Sequence, residues 1–241
     1  MTHVDHLFLF VLFVVQPIYG LISYRRYLAR IRAGQSPDRV SMYRWTAITQ
    51  WIALAALITA WYWLGRPLSD LGFVQAGGTG FYVGVALLLG ACGLLLYGWR
   101  QSKAMTEDER SEQVQALGDL VHFLPRRTRE LHAFFKLSFT AGVVEEIIYR
   151  GFLIWYLGLV MPLWAAVVTS SILFALGHSY QGPGGVAKTG LIGLVFGAFY
   201  VLTGSIWLPI AGHILLDALQ GLTIIEVLRE ADTSSRRQHH V

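Results

Sequence analysis

Three short stretches carry the side chains that could do chemistry. In VVEEIIYRGF, residues 143–152, Glu145, Glu146 and Arg150 stand in an otherwise apolar run; FALGHSY holds Phe174 and His178, and AGHILLDAL holds His213 and Asp217. Carboxylates and imidazoles are the groups that take a proton from water and return it to a leaving group. Spacing separates their tasks. Glu146 and Arg150 are four residues apart on one helical face, with the acid N-terminal to the base, the favoured order for a pair. Glu145 points about 100° away around a helix of 3.6 residues per turn and lacks that partner. Glu146 therefore reads as paired, and Glu145 as a carboxylate free to act as general base. Phe174 with His178, and His213 with Asp217, also share faces. Each pair is common taken singly. Together the three clusters supply a base, a second water-holding imidazole and hydrogen-bond partners for an oxyanion. The alternative is a set of structural ion pairs joining helices.

The elements that must position these residues are membrane spans. The chain of 241 residues is 54% hydrophobic and 14% charged, with a mean hydropathy of +0.50, outside ordinary soluble composition. Runs of about 17 to 25 apolar residues can cross a bilayer. Seven are predicted, at 7–24, 44–64, 80–99, 137–158, 162–178, 188–203 and 206–228, giving an all-α polytopic bundle. A charge at mid-bilayer costs roughly 2.5 to 3.5 kcal/mol on insertion scales, so the polar clusters in spans four, five and seven are functional candidates by default.

Lys and Arg counts set the expected orientation. Loop 25–43 carries Arg25, Arg26, Arg30, Arg32 and Arg39, and the connection 100–136 carries seven basic residues, among them Arg100, Lys103 and Lys136. Both are expected in the cytoplasm, as is the tail with Arg229, Arg236 and Arg237. The N-terminus and loop 65–79, with Arg66 alone, are expected outside. The net charge of +4 follows from this topology and needs no nucleic acid partner. Residues 107–135, broken by Pro125, read as a surface helix at the membrane interface. The first apolar run, without a basic lead or cleavage site, reads as a retained helix. Cys92 reads as a small buried hydrophobe. Gly190, Gly193 and Gly197 mark a small-residue packing face on span six. Pro209 could begin the regular part of the last helix, and QGPGGVAK, 181–188, reads as a loop beside His178.

The ordered set EEIIYR, FALGH and HILLD resembles the three motifs of the CAAX-protease and bacteriocin-processing (CPBP) family of intramembrane proteases, EExxxR, FxxxH and HxxxN/D. The resemblance spans residues 125–228, after an N-terminal three-span region at 1–124 and before a tail at 229–241. It implies hydrolysis of a peptide bond in or at the membrane by an endopeptidase of the type II CAAX prenyl kind. Glu145 and His178 would activate water, His213 and Asp217 would serve the transition state, and Glu146, Arg150 and Phe174 would support the site. It also implies a membrane protein or lipidated peptide as substrate and, for a bacterial member, the inner membrane as location. Asp217 replaces the alternative Asn; an ionised Asp repels an oxyanion, so Asp217 is either protonated or, the preferred reading, orients His213 instead.

No cofactor is required by this reading. A zinc set of Glu145, His178 and His213 with a bound water is the alternative, although the helical zinc signature HExxH is missing. One geometric difficulty stands. From these span limits Glu145 lies roughly 12 Å from the basic end of its span and His213 roughly 10 Å from the opposite end of its own, so a single site requires tilt or a late start at Pro209. The rival functions are a non-catalytic scaffold or bacteriocin self-immunity protein and, with less support, a transporter, which would need matching broken helices in two halves.

Overall fold

The computed structural model describes residues 1–36 and 38–238, with side chains described to Leu228. Every regular element among them is helical. Helix α1 is His3–Arg32, α2 is Arg39–Trp63, α3 is Gly78–Ser102 and α4 is Glu107–Leu117. Helix α5 starts with Thr128–Glu146 and continues through a π-helical turn, Ile147–Leu153, into Ile154–Gly158. Then come α6, Leu163–Gly177, α7, Gly182–Thr203, and α8, Trp207–Gln238.

A helix stands at each of the seven expected spans, with α4 between the third and fourth. Among the described residues four helices are long and apolar enough to cross a membrane: His3–Arg32, Gly78–Ser102, Ser179–Thr203 and Trp207–Leu228. Helix α6 is apolar but shorter, and α2 and α5 carry polar residues in their apolar runs. Large apolar side chains cover the outside, among them Ile18, Tyr62, Trp63, Leu87, Leu89 and Leu94. A soluble monomer does not expose apolar surface on this scale; lipid is the solvent this surface fits. Only 6% of the apolar window of α1 and of α3 is buried, against 39% for α8, which places α8 at the centre. Beside it α2 and α5 enclose a core that includes Leu57, Trp61, Val144 and Phe152.

Connections gather at two ends. At one, Tyr27 and Arg39 donate to the His122 carbonyl, Arg32 pairs with Asp119 at 3.1 Å, and Arg39 pairs with Glu130 at 3.6 Å. The two arginine-rich connections are thus joined. At the other end, Arg66 grips Asp5 at 2.6 and 2.8 Å, and Ile206 donates its amide to the Gly72 carbonyl.

The structure revises several boundaries. Residues 128–135, read as part of a surface helix, are the first turns of α5, because Pro125 ends the connector and the chain restarts at Thr128. The surface helix itself is α4, capped by Thr106 and Glu109 in a reciprocal capping box. The expected loop 181–188 is mostly helix: Gly182, at φ 76°, makes the turn, Pro183 sits in the first helical turn, and the loop shrinks to a tight turn at Ser179–Gln181. Helix α8 starts at Trp207, with Pro209 inside its first turn. Its backbone continues through much of the expected tail to Gln238, where the side chains of Arg229, Arg236 and Arg237 lie outside the described set. Cys92 is a free thiol, half-buried on α3.

Candidate active site

Glu146 is the centre of a buried polar cluster. Its side chain has no exposed surface, and its Oε1 accepts from Arg150 Nη1 at 2.9 Å and from His213 Nδ1 at 2.7 Å. The i, i+4 pair expected from spacing is present. Arg150, 1% exposed, also donates from Nη2 to the Gly193 carbonyl at 3.2 Å. Its guanidinium lies 4.5 Å from the Phe174 ring centroid and 5.7 Å from that of Phe196. A buried cation is tolerable only when hydrogen-bonded and paired; here a carboxylate, a backbone carbonyl and two aromatic faces divide that work. His213 stacks on Phe196 and meets Phe174 edge-on. The cluster therefore ties α5, α6, α7 and α8 together.

Glycine makes these approaches possible. The expected small face of α7 packs on α6. A Cβ on Gly193 would stand 3.3 Å from Phe174 and Ser171, and one on Gly197 would stand 2.7 Å from Val167. On α5, a Cβ on Gly142 would lie 2.4 Å from the Ile214 side chain and 3.0 Å from its backbone nitrogen, so α5 and α8 touch nearly backbone to backbone.

This contact resolves the depth difficulty. Helix α5 begins at Thr128, not 137, so about 26 Å of helix at ~1.5 Å per residue precedes Glu145. Glu146 thereby reaches the level of His213, about 9 Å into α8 from Trp207. The π-helical turn follows directly. Such turns leave backbone groups out of the regular ladder and recur at functional sites; Ser170 on α6 donates its hydroxyl to the Tyr149 carbonyl at 2.8 Å.

Glu145 faces a different neighbourhood, as its helical position requires. Its Oε1 accepts from Gln50 Nε2 at 2.8 Å. Its Oε2 is buried, has no hydrogen-bond partner, and lies 4.0 Å from His178 Nε2. The two side chains are 17% and 19% exposed, open where Glu146 is sealed. His178 holds its Nδ1 2.8 Å from the Phe174 carbonyl. A carbonyl only accepts, so Nδ1 carries the hydrogen and a neutral ring presents a lone pair at Nε2. Two acceptors, Glu145 Oε2 and His178 Nε2, thus face each other. One water donating to both at about 2.8 Å would separate them by roughly 4.4 Å, close to the 4.0 Å found.

Asp217 Oδ2 lies 3.6 Å from His213 Nε2, longer than a hydrogen bond. The close orienting contact to His213, assigned from sequence to Asp217, is made by Glu146. The zinc reading needs Glu145, His178 and His213 to converge on one point. Among the described residues no three His, Cys, Asp or Glu side chains are arranged to hold a metal ion, and His213 Nδ1 is engaged by Glu146. That contact leaves Nε2 as the His213 nitrogen that could bind a metal.

Two contributors escape the motif reading. Gln50 comes from α2, although the first three spans offered no site residue; as the lone amide in its apolar run it was a visible signal. Phe196 on α7 stacks against His213 with only an aromatic in an apolar helix to mark it, which is no signal at all.

A family model described as type II CAAX prenyl endopeptidase Rce1-like matches residues 128–219. No curated protein and no solved structure matches the chain. The apolar helices and this family point to an integral membrane protein. The matched segment opens on the first residue of α5 and closes just beyond Asp217, taking in every motif residue and leaving out Gln50. Over residues 128–219 the chain is thus similar to Rce1-like, type II CAAX prenyl endopeptidases.

Proposed function

We propose that this protein is an endopeptidase that hydrolyses a peptide bond of a membrane protein or lipidated peptide, using water activated by Glu145 and His178. The observation that carries the proposal is the facing pair of acceptors, Glu145 Oε2 and His178 Nε2, 4.0 Å apart on two partly exposed side chains. A water held by both through its hydrogens directs its lone pairs away from them, toward a carbonyl carbon. Glu145 takes one proton as the oxygen attacks and delivers it to the leaving amine. Gln50 holds Oε1, so Oε2 is the oxygen left for the water.

The tetrahedral oxyanion needs donors. A doubly protonated His213 donates from Nδ1 to Glu146 and from Nε2 toward Asp217 or toward the oxyanion. Phe174 has two tasks, its carbonyl fixing the tautomer of His178 and its ring covering Arg150. The positive-inside rule places the basic end of the bundle in the cytoplasm, the N-terminus outside and, for a bacterial protein, the whole in the inner membrane.

The test is membrane proteomics of cells carrying wild type or Glu145→Gln, followed by cleavage of the accumulating protein by purified enzyme. Loss of cleavage in Glu145→Gln and His178→Ala, with wild-type activity surviving exhaustive zinc chelation, is the expected outcome. Full cleavage by Glu145→Gln would overturn the mechanism. A scaffold or immunity protein, which the buried Glu146, Arg150 and His213 cluster would also serve, keeps its cellular phenotype in Glu145→Gln.

A further inference from the structure

At the basic end of the bundle, α2 and α5 meet through Arg39–Glu130 and through the rings of Tyr43 and Phe134. They leave a groove of about 580 Å³, within the size range of small-molecule sites. Its walls are one stripe from each helix. Arg44 on α2 and Arg129 and Lys136 on α5 stand along it, and Ile48, Trp51 and Leu137 form its apolar part. The three cations are exposed, and among the described residues none of their side chains has a hydrogen-bond or ion-pair partner. No acidic residue lines the groove. Glu130, the acid nearest in sequence, is held by Arg39 and by the Arg126 amide. At the far end Trp51 donates from Nε1 to Thr140 Oγ1 at 3.1 Å and bridges the two helices.

Positive-inside topology explains cations at this end, but not three of them around a cavity whose remaining wall, His132 and Tyr43 aside, is apolar. A cationic mouth and an apolar interior, opening between two helices at the level where a bilayer has its headgroups, match one chemistry: a phosphate attached to a hydrocarbon chain. We propose that this groove binds an anionic phospholipid, its headgroup phosphate among Arg44, Arg129 and Lys136 and an acyl chain along Ile48, Trp51 and Leu137. The lipid would hold α2 against α5 one residue from Gln50, the donor to Glu145. The proposal needs only the membrane setting of these helices and stands apart from the protease reading.

The test is native mass spectrometry of the full-length protein titrated with phosphatidylglycerol or phosphatidylcholine. Wild type should retain phosphatidylglycerol in preference. At roughly five-fold per basic residue near a lipid phosphate, Arg44→Gln, Arg129→Gln and Lys136→Gln together should weaken that binding on the order of a hundred-fold. Ala47→Trp, which fills the groove and leaves every charge in place, should weaken it as well. Lys103→Gln, a cation over the Trp99 ring outside the groove, should leave it unchanged. Circular dichroism establishes that each variant is folded. Retained phosphatidylglycerol preference in the triple variant overturns the proposal. So does undiminished binding by Ala47→Trp, which would mean diffuse attraction to a positive surface, or a preference for an acidic peptide over both lipids.

Discussion

Removing one member of the Glu146–Arg150 pair should destabilise the protein far more than removing both. Glu146 is fully buried and Arg150 is 1% exposed, so neither loses much of its interaction to solvent screening. Glu146→Gln keeps the shape but leaves the guanidinium with a neutral partner, and deprives His213 Nδ1 of its carboxylate. Arg150→Met keeps most of the volume against Phe174 and Phe196 but leaves the carboxylate sealed away with His213 alone. Breaking a buried pair from one side costs about 3 to 5 kcal/mol, whereas replacing both charges by uncharged groups is often close to neutral. Each single variant should therefore lose stability in that range. The double variant should lose less than either single one, which requires a coupling of more than about 3 kcal/mol. Equilibrium unfolding of the purified protein in mixed micelles, monitored by Trp fluorescence, measures all three. Single losses below about 1 kcal/mol, or strict additivity, would refute the view that the pair is buried and mutually dependent.

Gln50→Leu leaves Glu145 Oε1 without its donor, and a hydrogen bond to a charged group contributes roughly 1.5 to 3 kcal/mol, so the variant should lose stability in that range and lose kcat as well; an unchanged rate in a peptide-cleavage assay would remove Gln50 from the site. Gly142→Val should separate α5 from α8, because even its Cβ would meet Ile214 at 2.4 Å; a loss of about 1 to 3 kcal/mol or more is expected from overpacking, read by the same unfolding assay, and a stable, active variant would contradict the contact. On α4, outside the membrane, the Thr106 amide and then its hydroxyl hold the Glu109 carboxyl below its ordinary value of 4.5. A depressed folded value means the cap contributes above that pH and is lost as pH falls below it through the folded value. The Thr106 amide resonance should titrate with a midpoint under 4.5, and Glu109→Gln should abolish the titration.

Much of the site could be read from sequence because it is local. The partnership of Glu146 with Arg150, the separate direction of Glu145 and the shared face of Phe174 and His178 follow from helical periodicity within one element. So did the helical class and the grouping of the arginine-rich connections, because apolar run length and charge placement are properties of short stretches. What periodicity misjudged lay at helix ends. Thr128 was hidden in a charged segment, and Gly182 and Pro183 looked like a loop until one made the turn and the other began the helix.

Only tertiary packing decided that His213 meets Glu146 across 67 positions of chain. The contact depends on how deep each helix is set and how closely α5 and α8 approach, which rests on Gly142 and on the true start of α5. The same packing brought Gln50 from α2 to Glu145 and left Glu145 Oε2 facing His178. Sequence by itself determined which side chains each helix carries and the direction each points around its axis. The fold alone decided which of those directions converge, because the relative depth and spacing of helices are set by contacts between residues far apart in the chain.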